Sequence, residues 1–500
     1  MASRKKKETK KEHAKSSRQE ITKLPTKGRV RAKVEGLLKD SAQERSRPTE
    51  KSSPDNLMIS VSGIRGVIGQ SLTPERVARY AAAFGTWCNG GKVVVGTDSR
   101  VSGPIVKGAV VSALMSAGCQ VVDVGLVPTP TVEITAKNLH AHGGIAITAS
   151  HNPVQWNALK LIGPRGMFLT QSQMSEVIEI AEEGAISYAT WDRLGKQSFY
   201  DHAVQNHIDQ ILDLPFVNKD KLQERAFKVA VDCVNGAAGV IVPKLLKLLG
   251  CEVFVINEEP HGIFSRNPEP TPENLEALSQ AVTEFGCDVG FALDPDVDRL
   301  ALVSQKGTPL GEEYTLALAT EFMLSHHPGP VVINASTSAM VMEIAKKYKV
   351  HSYRTKVGEI NVSTRMKETG AVIGGEGNGG VILPLVHYGR DAVSAAVLIL
   401  QLMLDRAQSI DSLQESMPAS FMKKEKVELK NLDPDDVLNT IVRGNKSAKI
   451  DTIDGIRLDF GDCWIHFRKS NTEPVLRIIA EAKEAGRLKE LLNSFTGYFK

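Results

Sequence analysis

Residues 288–303 read D-V-G-F-A-L-D-P-D-V-D-R-L-A-L-V, an apolar run into a turn that carries carboxylates at 294, 296 and 298, then an apolar run out of it. A run of small and branched apolar residues without polar alternation predicts a strand buried on both faces, as in a largely parallel sheet covered by helices. At alternate positions of an extended turn, Asp294, Asp296 and Asp298 can converge on one hard cation through oxygen ligands, and Pro295 stiffens the turn. An EF-hand is excluded, because its loop needs Gly in the sixth place and Glu in the twelfth, where this chain has Arg299 and Gln305. Three protein carboxylates leave octahedral positions open, which suits Mg2+ that also holds a phosphate oxygen. The competing reading is a solvated acidic turn, and the apolar strands on either side argue against it.

Outward from this stretch the same pattern recurs three times. The first copy has strands at Lys92–Gly96, Gln120–Val124 and Gly144–Thr148. The second has Lys228–Asp232, a helix over 237–249, Glu252–Asn257 and Asp288–Leu293. The third has Pro330–Ala335, a helix over 337–348, His351–Thr355 and Ala371–Gly374. Each third strand runs into a polar loop: T-A-S-H-N-P at 148–153, D-P-D-V-D-R at 294–299 and G-E-G-N-G-G at 375–380. Ligands of α/β sheets gather at the carboxyl ends of strands, so three such loops in register predict one site. After Gln414 a shorter block follows, with strands near Lys424–Leu429, Ile456–Asp459, Trp464–Arg468 and Val475–Ala480, read as a smaller α+β domain. The chain divides into a basic arm at 1–52 and domains at 53–200, 201–304, 305–415 and 416–500.

Ser150 follows a buried strand, which predicts an exposed nucleophile; a turn or N-cap serine is the bland alternative. A Ser-His-Asp triad lacks its G-x-S-x-G elbow, and adjacency gives His151 no special geometry as a base. Arg468, Ser470, Asn471, Thr472 and Arg477 gather guanidinium, hydroxyl and amide donors, a composition suited to a phosphate dianion, with a surface ion-pair patch as the alternative. Gly375–Gly380 matches G-x-G-x-x-G, but Val381–Val386 and not a helix follows, so a dinucleotide fingerprint is a poor fit. On a loop expected to be flexible, Glu376 and Asn378 read as partners for sugar hydroxyls.

The net charge of +3 hides an asymmetry: residues 1–52 hold 17 Lys/Arg against 7 Asp/Glu, which leaves −7 on the remainder. A Lys-rich arm with few aromatics predicts disorder with at most a short helix near Arg29–Leu38, and a solvated tail is preferred over contact with nucleic acid or ribosomes. The six cysteines form no C-x-x-C pair, which fits a reducing compartment. No stretch has the roughly 18–20 apolar residues of a membrane span and no apolar segment follows the first charges, so the expected location is cytoplasmic.

With T-A-S-H-N-P, D-P-D-V-D-R, G-E-G-N-G-G and R-K-S-N-T-E-P in this order, together with S-G-I-R-G at 62–66 and W-N-A-L-K at 156–160, the chain resembles the α-D-phosphohexomutases over about residues 57–500. Within them it is most similar to the bacterial phosphoglucosamine mutases. The resemblance implies three similar α/β/α domains and a smaller fourth around a central cleft. It implies Ser150 as a phosphoserine that also ligates the metal through its phosphate, and Asp294, Asp296 and Asp298 as ligands of one Mg2+. Arg299 would assist near the phosphoserine, Arg65 and Lys160 would flank the reacting oxygens, and Lys160 would move a proton, with His151 a further catalytic candidate beside Ser150. Glu376 and Asn378 would hold sugar hydroxyls, and Arg468, Ser470, Asn471, Thr472 and Arg477 the phosphate that is not reacting. Hexose phosphate and hexose bisphosphate are the implied partners, and glucosamine 6-phosphate and glucosamine 1-phosphate the implied pair, with mannose or glucose phosphates as the alternative. A nucleotide-dependent oxidoreductase is the remote alternative. The chain departs from many relatives at Asn378-Gly379-Gly380, where they carry Ser-Gly-His, and at Glu359 and Ile360 after Val357-Gly358, where they carry a basic residue.

Overall fold

The computed structural model describes residues 57–429, 433–469 and 475–499. The basic arm, its expected short helix, and Ser470, Asn471 and Thr472 lie outside the described residues.

The first sheet contains β1 (Met58–Ser60), β2 (Gly63–Val67), β3 (Lys92–Thr97), β4 (Gln120–Leu126), β5 (Gly143–Ile147), β6 (Trp156–Ile162) and β7 (Gln197–Phe199), in the order β1-β2-β6-β5-β3-β4-β7. The second contains β8 (Lys228–Asp232), β9 (Glu252–Ile256), β10 (Val289–Leu293) and β11 (Leu300–Ser304), in the order β11-β10-β8-β9. The third contains β12 (Val331–Asn334), β13 (Ser352–Thr355), β14 (Ile373–Glu376) and β15 (Gly380–Ile382), in the order β13-β12-β14-β15. In every copy the middle strand pairs in parallel with two neighbours, and a hairpin return strand, β6, β11 or β15, pairs antiparallel with the third strand. The repeat seen in the sequence therefore has a fourth strand. All three polar loops connect third strand to fourth, so they occupy one topological position.

The last sheet is wholly antiparallel: β16 (Phe421–Glu428), β17 (Lys449–Asp451), β18 (Ile456–Asp459), β19 (Cys463–Lys469) and β20 (Val475–Ala482), in the order β16-β20-β19-β18-β17. These are α/β domains with mixed, largely parallel sheets followed by a smaller α+β domain.

Local chemistry adjusts two expected helices. The helix expected over 237–249 breaks at Ile241 into a 3-10 turn, Ala237–Val240, and an α-helix, Val242–Leu248, that carries Pro243 in its first turn. The helix expected from 337 begins at Met340, because the Ser338 backbone N–H is spent on Glu313 and its hydroxyl accepts from the Met340 N–H. The largest core cluster joins the second and third domains around helix Ala392–Arg406, almost all of whose residues are buried. Among the described residues no single helix is long and apolar enough to cross a membrane.

Backbone hydrogen bonds fasten the aspartate turn and its return strand to their neighbours. Thr129 N–H donates to Asp296 O at 3.0 Å, Leu300 N–H to Gly379 O at 3.0 Å, and Ala392 N–H to Val297 O at 3.2 Å. On the far side, the Val357 N–H donates to Asp454 of the last domain at 2.9 Å.

Candidate active site

The carboxylate turn is formed by a backbone that few side chains adopt: Val297 has φ 62° and is fully buried. A β-branched residue in the left-handed region costs of order 1–3 kcal/mol, and its packing in the core holds it there. The turn brings one oxygen from each of Asp294, Asp296 and Asp298 within 4.8 Å of the others. All three residues are fully buried. Asp294 accepts from the Asp298 and Arg299 N–H groups at 3.1 and 3.2 Å, and Asp296 accepts from the Thr129 hydroxyl at 2.6 Å. Asp296 Oδ1 and Asp298 Oδ1, although buried, accept no hydrogen bond. Burial, with Asp298 and Asp296 alongside, pushes the Asp294 carboxyl well above the usual range. Orphaned carboxylate oxygens at this spacing, one beside a carboxyl that resists ionisation, fit a hard cation.

Ser150 sits against this turn. Its Oγ donates to Asp294 Oδ2 at 2.8 Å and lies 3.3 Å from His151 Nδ1. The expectation of an exposed nucleophile is corrected: Ser150 is 2% exposed, because its loop folds inward over Arg100. Arg100, itself buried, donates to the carbonyls of Ser150 at 2.6 Å, Asn152 at 2.7 Å, Pro153 at 2.7 Å and Trp156 at 2.9 Å, and pairs with Asp98 at 3.1 Å. This grip holds Ser150 at φ 49°, with its hydroxyl aimed at the carboxylates.

The cationic candidates surround the same point. Lys160 Nζ lies 2.6 Å from Asp296 and 3.1 Å from Asp298. Burial disfavours its charge, but the two carboxylates prevail and raise its pKa above the ordinary lysine value. Arg299 contacts Glu269 at 3.3 Å and Asp298 at 3.7 Å. Arg65 donates to Asn152 Oδ1, and burial lowers its pKa to about 10 in spite of Asp296. His151 is held well below its usual pKa by burial and by Arg299 and Arg65.

Glu376 is the last residue of β14, so it stands on a strand end and not on a flexible loop. Its carboxylate already accepts from Asn334 Nδ2 and the Gly358 N–H, each at 2.8 Å, and from Arg390 Nη1 at 2.8 Å. Asn378 accepts from the Gly380 N–H at 3.2 Å and closes the hairpin turn to β15. With an antiparallel strand where a helix N-terminus is required, Gly375–Gly380 cannot be a dinucleotide loop, and the oxidoreductase reading falls. Arg468 and Arg477 stand directly opposite one another on β19 and β20, flanking 470–474. Arg468 pairs with Asp454 at 3.2 Å, and Asp454 also accepts from Val357, next to Gly358. The last domain thus connects to the Glu376 network.

Reading the sequence missed Arg390. It is fully buried save for 8% and bonds three carboxylates: Asp298 at 2.7 Å, Glu376 at 2.8 Å and Glu359 at 2.9 Å. Both departures from relatives meet here. Glu359 is one of its partners, and a Cβ built on Gly380 would lie 2.2 Å from Arg390 Cδ, so no side chain fits at 380 while Arg390 keeps this path. The available signal was a lone G-R-D at 389–391, downstream of the G-E-G-N-G-G loop and outside every motif. Arg100 was signalled only by D-S-R at the end of β3.

Comparison with known proteins agrees with this arrangement. The four phosphoglucomutase/phosphomannomutase domains match in order: α/β/α domain I at residues 57–186, domain II at 205–307, domain III at 311–421 and the C-terminal domain at 422–497. A probable phosphoglucosamine mutase of Methanopyrus kandleri is 36% identical over 441 residues, 87% of this chain and 96% of that protein. A phosphoglucomutase/phosphomannomutase of Thermococcus kodakarensis is 35% identical over 444 residues, again 87% and 96%. The crystal structure of a phosphoglucomutase/phosphomannomutase family protein from Burkholderia thailandensis superposes with a TM-score of 0.78 at 28% identity, covering 88% of this chain and 97% of that one. Four matching domains and relatives aligned over nearly their whole length give one conclusion: the chain belongs to the phosphoglucomutase/phosphomannomutase family, the α-D-phosphohexomutases, and is a phosphotransferase of the isomerase class.

Proposed function

We propose that the enzyme interconverts glucosamine 6-phosphate and glucosamine 1-phosphate by way of a phosphorylated Ser150 and an enclosed glucosamine bisphosphate. The observation that carries this reading is the Ser150 hydroxyl 2.8 Å from Asp294, in a buried pocket that also contains Lys160. Probable phosphoglucosamine mutases among the relatives supply the sugar.

In the forward step the free hydroxyl of the sugar phosphate attacks the phosphorus of phospho-Ser150. A new O–P bond forms, the Ser150 Oγ–P bond breaks, the hydroxyl proton passes to the candidate acceptor His151, which burial keeps neutral, and Lys160, kept charged by Asp296 and Asp298, is the candidate that returns a proton to the departing Ser150 Oγ. The bisphosphate turns over, Ser150 Oγ takes up the opposite phosphoryl group, and the isomer leaves. Asp294, Asp296 and Asp298, together with a phosphoryl oxygen on Ser150, would hold one Mg2+, which supplies charge neutralisation to the transferring group. Through a loose transition state most of the rate comes from positioning and electrostatics. Arg100 fixes the seryl loop, Arg299 and Arg65 place positive charge beside it, and Arg390 fixes Glu376 and Asp298 relative to each other. Glu376, with three of its lone pairs engaged, keeps one for a sugar hydroxyl. Arg468, Arg477 and the 470–472 donors would grip the distal phosphate in either orientation, because both ends of the bisphosphate present the same group.

Buried free thiols at all six cysteines suit a reducing compartment, and a cytoplasmic enzyme is the reading they support. As domain limits, 53–200, 201–304, 305–415 and 416–500 give each sheet its own segment. The second reading is a phosphomannomutase or phosphoglucomutase, favoured by the Thermococcus relative at 35% identity. Intact mass before and after phosphatase, with turnover of glucosamine, glucose and mannose phosphates compared side by side, tests both. Ser150→Ala should lose the phosphatase-sensitive mass and all turnover; an active Ser150→Ala protein refutes the mechanism.

A further inference from the structure

Between the third and fourth domains lies a cavity of about 490 Å³ that the proposed chemistry does not use. One wall is helix Met340–Lys347 with β13, another the connection at 416–419, and the third the face of the last sheet that carries Arg457 and Trp464. Two arginines line it. Arg457 is 1% exposed, its plane lies 3.5 Å from the Trp464 ring centroid, and one nitrogen, Nη1, donates to Ala335 O at 2.8 Å. Arg457 Nε and Nη2 and Arg354 Nε are buried and find no acceptor among the described residues.

Unpaired N–H groups on a buried cation are expensive, and native structures leave few of them without a reason. Five carboxylates line the same cavity, Glu321, Glu343, Asp459, Asp462 and Glu481, and none of them accepts from these three nitrogens. Glu481 accepts from Trp464 Nε1, the Ser338 hydroxyl and the Ala339 N–H, and Glu321 accepts from Lys347 and Arg406. Burial, with Arg354 close by, lowers the Arg457 pKa to about 9 in spite of Glu481, Asp459 and Asp451, and burial lowers Arg354 as well. Guanidinium N–H groups in a fixed fork match tetrahedral or planar oxyanions, and an indole under the guanidinium keeps the fork rigid. Met340, Met417 and Pro418 give the rest of the wall an apolar character that accommodates an organic body.

We propose that this seam is a second anion site, which takes phosphate or a phosphomonoester between Arg354 and Arg457. The bound anion touches both the third and the fourth domain and supplies the acceptors that these arginines lack. The site does not depend on the identity of the sugar or on phosphorylation of Ser150.

Equilibrium dialysis of the full chain against labelled inorganic phosphate, with saturating glucose 1,6-bisphosphate present to fill the catalytic cleft, tests it. The wild type should bind one phosphate that the bisphosphate does not displace. Arg457→Met and Arg354→Met should each weaken that binding at least tenfold. Arg354→Met makes the test independent of the Ala335 contact, should Arg457→Met fail to fold. If the bisphosphate leaves the cleft open, the wild type binds two phosphates and each variant one, which supports the site equally. AMP in place of phosphate distinguishes the sources: displacement of phosphate by AMP indicates an ester ligand, and phosphate binding that AMP leaves untouched indicates the free anion. No bisphosphate-resistant phosphate in the wild type, or the same binding in both variants, overturns the proposal.

Discussion

Replacing Arg390 by Met keeps most of the side chain's length and removes only the charge, which makes it a direct probe of the network between the second and third domains. Three carboxylates, Asp298, Glu376 and Glu359, lose a partner at 2.7 to 2.9 Å. Their losses differ. Asp298 keeps Lys160 and Arg299, and Glu376 keeps Asn334 and the Gly358 N–H, whereas Glu359, pushed well above the usual range by burial and by Glu133, retains no other cation in contact. Breaking one buried pair by removing a partner costs about 3–5 kcal/mol, so Arg390→Met should lose about that much in all, with Glu359 escaping part of the cost by taking up a proton. Urea unfolding of wild type and variant at pH 5 and pH 8 measures it. Burial disfavours the Glu376 charge, but Arg390, Asn334 and Gly358 prevail and depress its pKa, so its stabilisation is present above the unfolded carboxyl value and disappears as pH falls through the folded one. Both test values lie above that window, so the wild-type contribution of Glu376 is the same at each; it is the buried carboxyls of the variant, Glu359 first, that can take up protons at pH 5 but less so at pH 8, and the deficit should be larger at pH 8. A deficit below about 1 kcal/mol, within the range of ordinary substitutions, or one independent of pH, would refute the reasoning.

Asp391 caps helix Ala392–Arg406 and contacts His207 at 3.1 Å; burial opposes its charge, yet His207 and Ser394 bring its pKa down to about 2. A folded value below the unfolded one stabilises above about pH 4 and fades as pH falls through 2, so Asp391→Asn should cost about 2 kcal/mol at pH 7 and only a small fraction of that at pH 2, read from urea midpoints. Adding Mg2+ should raise the melting temperature of the wild type by mass action, and Asp296→Asn should abolish the rise; an equal rise in both would place the cation elsewhere. Gly380→His should destabilise by about 1–3 kcal/mol through collision with Arg390, and combining it with Arg390→Gly should recover part of that; strictly additive losses would show that the two positions do not compete for space.

The sequence made the buried strands readable because a doubly covered strand has one signature, a short unbroken apolar run. The return strands were harder to see. β11 was legible as Leu300–Val303, but β6 starts in the polar run at Trp156 and β15 is three residues long, too short for any periodicity. The aspartate turn and Ser150 stood out through residue type and spacing. Arg100 and Arg390 did not, because the contacts that tie Arg100 to the seryl loop, 50 positions on, and Arg390 to Asp298, 92 positions back, are ones no local pattern encodes. Ser150 was misjudged as exposed for the same reason: the residue that draws its loop inward is not near it in the chain.

The three polar loops all bridge the third and fourth strands of their sheets, one carrying a hydroxyl, one a cluster of carboxylates and one an acid at a strand tip. An ancestral unit copied in tandem would have offered three equivalent connectors, each anchored at two fixed ends and free in between to accumulate different chemistry. On that basis connector exchange between the copies becomes an engineering route in which length travels with the side chains, because eight residues separate β5 from β6, six separate β10 from β11 and three separate β14 from β15.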